Sequence, residues 1–228
     1  MPRARLATFD CYGTLIDWEG GAAAFLHEIA LREGDIDAPN GRALRDRWEE
    51  LQFELVTGPY KPYKQILGES LRAWAGERGY TLRDDDAERL VRSMRSWQPF
   101  PDTRPALTRV RDAGMKLAII SNTDRDIIEH SLRHLEVPFD HVQVAEDVSA
   151  YKPADEVFQR AMERFEVEPS EVLHVAFGFK YDIGPAQRLG CQTAWINRHA
   201  ESAPGEEKPD FEWRDLWGLA DHAESTSA

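Results

Sequence analysis

Apolar and polar positions along this chain follow two different rhythms, and the change from one to the other marks its organisation. The run Leu6-Ala7-Thr8-Phe9 is short and apolar and ends on Asp10, followed by Cys11-Tyr12-Gly13-Thr14. That is the pattern of a buried strand delivering a carboxylate into a tight turn. From residue 17 to 98 no strand pattern follows. Apolar residues recur instead at three- and four-residue spacing over residues 18–32, 42–56, 63–78 and 84–97, as Leu44, Trp48, Leu51 and Leu55 illustrate, which predicts four amphipathic helices. Gly58-Pro59 and Gly79 separate them, and Asp84 is placed to cap the last.

From Pro99 onward short strands and helices alternate. Helix 104–113 leads to strand 116–120, which ends in Ser121-Asn122-Thr123-Asp124. Helix 125–135, a strand at 142–144, the loop Ser149-Ala150-Tyr151-Lys152-Pro153 and helix 155–165 come next. Strand 172–176 ends in Phe177-Gly178-Phe179-Lys180-Tyr181-Asp182, followed by helix 183–189 and strand 193–196. Residues 200–207 and those after Leu219 read as solvated loop and tail. Right-handed crossovers make such strands parallel and bring their C-terminal ends to one edge. The predicted fold is therefore α/β: a doubly wound, mainly parallel Rossmann-like core (residues 1–16 and 99–228) with a helical cap (17–98) inserted after the first strand.

Charge narrows the partners. With 41 acidic against 28 basic residues and a net charge of -13, the surface does not suit nucleic acid or anionic membranes, both of which need clustered Lys and Arg. No apolar run approaches the ~20 residues of a membrane span. The N-terminus shows no signal-peptide pattern, which predicts a cytoplasmic protein. Cys11 and Cys191 have no metal-site spacing.

A carboxylate at the carboxyl end of a buried strand is where open α/β sheets place reactive groups, so Asp10 is a candidate nucleophile. Four ordered elements, Asp10 to Asp17, Ser121-Asn122, Lys152-Pro153 and Asp182, resemble the four motifs of the haloacid dehalogenase superfamily. The form Asp-x-Tyr-Gly-Thr-Leu and the ending Trp195-Ile196-Asn197-Arg198 resemble its L-2-haloacid dehalogenase branch. The resemblance implies that Asp10 displaces halide from a small anionic 2-haloacid and forms an aspartyl ester that water opens. It implies that Thr14 orients Asp10, that Lys152 keeps it ionised, and that Asp182 orients Lys152 or the water. Backbone N–H groups at Cys11 and Tyr12, with the side chains of Ser121 and Asn122, would bind the substrate carboxylate or the halide. A cap-mediated homodimer and the absence of any cofactor or metal are further implications.

The sequence also departs from that branch. Aligning on Trp48 puts Glu49 where the branch carries a halide-binding Arg, so either Arg45 or Arg47 substitutes or the site is not for halide. Phe177-Gly178 stands where Ser and Asn would position water, and this loop is one residue longer. Two alternatives stay open: a phosphatase using magnesium, against which Tyr12 and Phe177 both argue because they replace carboxylic acids, and a catalytically weak binding protein.

Overall fold

The computed structural model describes residues 4–39 and 41–227. Its central strand β1 (Leu6–Phe9) is buried at all four positions, which is why the run shows no polar alternation. Four helices follow: α1 (Trp18–Arg32), α2 (Gly41–Val56), α3 (Tyr63–Arg78) and α4 (Asp86–Met94). The chain continues through α5 (Thr103–Asp112), β2 (Lys116–Ser121), α6 (Arg125–Leu135), β3 (His141–Val144), α7 (Ala145–Val148), α8 (Asp155–Phe165) and β4 (Val172–Ala176). It ends with α9 (Gly184–Arg188), β5 (Gln192–Ile196), β6 (Phe211–Trp213) and α10 (Trp217–Ser227). The strands lie in the order β3-β2-β1-β4-β5-β6 with every pair parallel. The winding reverses at β1, and a sheet of this kind opens its ligand crevice at the carboxyl ends on either side of the reversal. Asp10 follows β1 directly.

The helices between β1 and α5 sit over that crevice. Leu44, Trp48 and Leu51 of α2 are buried, and Trp48 stacks on Trp18 of α1 with ring centroids 6.2 Å apart. The N-terminus of α3 has no capping side chain of its own. Its Tyr63 and Lys64 N–H groups donate instead to the Asp124 carboxylate, at 2.8 and 3.0 Å. A residue at the mouth of β2 thus caps a helix of the insertion and fixes the insertion to the sheet. Tyr151 adds a second tie by donating to the Lys61 carbonyl.

Three local expectations need correction. The residues after Leu219 are no solvated tail: Leu216, Leu219, Ala220 and Ala223 are buried, a helical spacing made inconspicuous by small and polar neighbours. β6 adds a sixth strand that its three residues were too short to signal. Helix α4 begins at Asp86 rather than at Asp84, with Asp85 at its N-cap position and no side-chain cap bond there.

Asp86 itself is fully buried and binds Arg32 through both oxygens, at 3.0 and 2.6 Å, together with Arg89 at 2.8 Å and the Arg83 N–H at 2.8 Å. Burial works against its charge, but the arginine and backbone donors outweigh it and hold the carboxyl at about 2. Its contribution to stability is therefore present above the ordinary carboxylate value and is lost as pH falls towards 2. Asp86→Asn is expected to cost about 2 kcal/mol at neutral pH, read as a lower denaturation midpoint, with the gap from wild type closing in acid.

Candidate active site

The Asp10 carboxylate is gripped from two sides. Lys152 Nζ donates to Oδ1 at 3.0 Å, and the Thr14 hydroxyl donates to Oδ2 at 3.0 Å. Thr14 Oγ1 in turn accepts from the Phe177 N–H at 2.9 Å, so its rotor points one way. Lys152 Nζ also donates to Asp182 Oδ1 at 2.6 Å. An ionised carboxylate can only accept, so His174 Nε2, 2.9 Å from the same oxygen, is a donor. His174 Nδ1 is 2.9 Å from Thr8 Oγ1 on the neighbouring strand. One chain of contacts therefore runs from the sheet interior through Thr8, His174, Asp182 and Lys152 to Asp10. Burial raises the Asp10 carboxyl above its ordinary value; the Lys152 ammonium opposes this without overcoming it, and the Asp182 charge adds a smaller push upward. Burial acts on Asp182 in the same sense, but Lys152 and His174 overcome it and hold that carboxyl low. Burial disfavours the Lys152 ammonium, yet the two carboxylates flanking it push its pKa up.

These groups open into a cavity of about 80 Å³ lined by Asp10, Tyr12, Ser121, Asn122, Lys152 and Asp182 from the sheet edge, by Trp18, Glu49, Gln52, Val56 and Tyr63 from the inserted helices, and by Phe177, Gly178 and Tyr181. Six of the eight residues singled out from sequence line it, and Thr14, fully buried, reaches it only through its bond to Asp10. Cys11 does not line the cavity; it is fully buried, and burial, with Asp10 close by, pushes its thiol far up. Only its backbone can serve. The Leu15 and Ile16 N–H groups both return to the Cys11 carbonyl and the Gly13 N–H to that of Ile16. The N–H groups of Cys11 and Tyr12 have no protein acceptor among the described residues and are left for an anion. The Tyr12 hydroxyl pairs with Ser131 on α6 at 2.9 Å. Asn122 differs from its expected part: its amide donates to the Lys152 carbonyl at 2.9 Å and accepts from the Lys152 N–H at 2.8 Å. Its side chain positions the lysine.

The long fourth loop is absorbed by a single π-helical turn, Phe179–Ile183, ahead of α9. Asp182 sits inside that turn, and the helix that the sequence pattern started at residue 183 begins at Gly184. Gly178 makes the approach possible, since a Cβ there would lie 2.6 Å from Asp182 Oδ2. Gly13, at φ +96°, fits for the same reason, with a Cβ falling 2.3 Å from the Phe177 ring. Phe177 thus fills the place beside the nucleophile turn and rests against Trp18, 6.3 Å away.

Neither arginine proposed as a substitute lines the cavity. Arg45 donates to Glu19 at 2.6 Å and lies over the Trp18 ring. Arg47 is partly exposed and bound to Glu77 and Glu50. Glu49 does face the cavity. Burial raises its carboxyl, opposed by Lys180 and Arg45, which approach it at 3.7 and 3.6 Å. Lys180 also lies over the Phe53 ring at 4.3 Å. The residues that sequence reasoning left without a role here are His174, Gln52 and Asp124. His174 carried one signal, a lone ionisable residue within an otherwise apolar strand.

Known proteins resemble this chain in sequence and in fold. The chain is 28% identical over 221 residues to (S)-2-haloacid dehalogenase 4A of Burkholderia cepacia, covering 93% of this chain and 88% of that protein. It is 29% identical over 205 residues to (S)-2-haloacid dehalogenase 1 of Pseudomonas sp. (strain CBS-3), covering 87% and 86%. A crystal structure of an L-2-haloacid dehalogenase superposes with a TM-score of 0.86 at 26% identity, over 98% of this chain and all of that one. The description "haloacid dehalogenase-like hydrolase" belongs to the family whose pattern matches residues 4–190. With the fold, the nucleophile turn and its lysine all in place, the chain belongs to the haloacid dehalogenase-like hydrolase family.

Proposed function

We propose that this protein is a 2-haloacid dehalogenase acting through Asp10, with residues 17–98 as the cap that closes the site. The observation that carries this reading is the absence of an acid on the nucleophile turn: the Tyr12 hydroxyl is tied to Ser131 in the core and cannot serve a leaving group. An alkoxide must be protonated as it leaves, whereas a halide leaves as the free anion. Displacement of halide is the chemistry that this turn supports.

In the first step an Asp10 oxygen bonds to the substrate α-carbon while the carbon–halogen bond breaks and the halide takes the electron pair. Water then adds to the Asp10 carboxyl carbon and releases the 2-hydroxy acid, restoring the carboxylate. The substrate carboxylate binds the Cys11 and Tyr12 N–H groups and the Ser121 hydroxyl. Trp18, Tyr63, Phe177 and Tyr181 keep the site apolar, which strengthens each of these contacts. Magnesium suits this residue set poorly: the Phe177 side chain offers no oxygen, and the Lys152 ammonium already bridges Asp10 and Asp182. No group of three or more His, Cys, Asp or Glu able to hold a metal occurs among the described residues.

The test is halide release from 2-chloropropionate and 2-bromopropionate in excess chelator. Release that persists with chelator is the expected result. No release across a panel of short 2-haloacids would overturn the reading, and magnesium-dependent phosphate release would replace it with the phosphatase alternative.

A further inference from the structure

The dehalogenase reading, on which this inference rests, requires something to receive the departing anion. Lys152 is engaged by two carboxylates, and Glu49 would repel an anion. Among the side chains lining the cavity, two buried polar atoms have no hydrogen-bond partner: Ser121 Oγ and Gln52 Nε2. They face it from opposite sides, one from the end of β2 and the other from the inserted helix α2. Gln52 lies three residues beyond Glu49, on the same helix face, and is 5% exposed. Its Oε1 accepts from the Tyr63 hydroxyl at 3.0 Å, and Tyr63 is itself anchored by its N–H to Asp124. That bond fixes which way the amide faces, so the free end is the NH2 group. A buried donor with no acceptor is costly to keep, and a bound anion would satisfy it. A neutral amide also meets an anion without placing another charge in a site already crowded with them.

We propose that Gln52 Nε2, held in orientation by Tyr63, receives the leaving halide, so that the cap supplies a neutral donor where an arginine was expected. Tyr63 is then a positioning residue.

Stabilisation of the leaving group matters more for chloride than for bromide, because the carbon–chlorine bond is the harder to break. Gln52→Met should therefore lower the single-turnover rate about tenfold or more on 2-chloropropionate and clearly less on 2-bromopropionate. Tyr63→Phe should show the same ordering with a smaller loss. Gln52→Glu keeps the shape and the acceptor for Tyr63 but removes the NH2 group, so it should lose at least as much even if the Met variant folds poorly. An equal loss on both substrates confined to KM would assign Gln52 to the substrate carboxylate and overturn the proposal, as would no loss at all. A second measurement needs no turnover: Trp18 lines the cavity, so bromide should quench tryptophan fluorescence saturably in the wild-type protein and about tenfold more weakly in Gln52→Glu. Absence of saturable quenching in the wild type, or an identical curve in the variant, sinks the halide assignment. If no haloacid turns over, the dehalogenase reading fails and this second measurement still decides whether Gln52 binds halide.

Discussion

Asp10→Asn is expected to abolish halide release, lowering kcat by ~10⁴-fold or more, because no other group in the cavity can form the ester. The neighbouring carboxylates do not take over: Asp182 is bound to Lys152 and His174, and Glu49 stands on the cap side between Arg45 and Lys180. The same substitution should leave thermal stability at neutral pH undiminished. A carboxyl whose value is raised in the folded state is disfavoured there once ionised, so above that value Asp10 detracts from stability rather than adding to it. Lys152 keeps Asp182 at 2.6 Å as its partner. Loss of activity together with an unchanged or higher melting temperature therefore marks a group kept for chemistry. Mass spectrometry of the wild-type protein quenched during turnover should show a substrate-derived adduct on the peptide carrying Asp10, absent from the variant. Substantial residual turnover in Asp10→Asn would mean that water attacks the substrate directly.

What the sequence disclosed follows from how locally each feature is encoded. β1, β2 and β4 are continuous apolar runs because the sheet is covered on both faces, and their polar ends mark the crevice without any knowledge of pairing. The inserted helices were legible from spacing alone. β6 was not, since three residues, Phe211 and Trp213 half-buried around an exposed Glu212, are too few to establish a period, and α10 hides its apolar stripe in alanines. At the site, Asp10, Lys152 and Asp182 were readable and the resemblance implied their mutual contacts, but the residues that support them are joined non-locally. Thr8 and His174 meet across two strands 166 residues apart in sequence, and Asp124 caps a helix 61 residues before it. Asn122 shows the limit most clearly: its type and place beside Ser121 suggest a ligand contact, whereas both of its polar atoms are turned to the Lys152 backbone. The extra residue in the fourth loop was visible as a count, while its absorption into a π-turn that still brings Asp182 to Lys152 depends on Gly178 lacking a side chain.

Lys152→Met is expected to lower kcat by about 10²–10³-fold, less than loss of the nucleophile but through a different cause. The methionine keeps most of the side-chain volume and removes the one cation between Asp10 and Asp182. Without it the two buried carboxylates face each other unscreened, and one of them takes up a proton. Asp182 retains the His174 donor, so the proton goes to Asp10, whose carboxyl burial already raises. A protonated Asp10 is no nucleophile. The acid limb of the pH profile should therefore move to higher pH in the variant, with activity partly recovered as pH rises and Asp10 ionises again. Stability should fall as well, by roughly 3–5 kcal/mol at neutral pH, since removing one member of a buried ionic cluster leaves the others uncompensated. Lys152→Met combined with Asp182→Asn separates the two effects. Removing the second carboxylate should restore much of the stability and draw the acid limb back down, while kcat at high pH stays low because the cation that orients Asp10 is still missing. A pH profile unmoved in Lys152→Met would show that the lysine serves only to hold the fold.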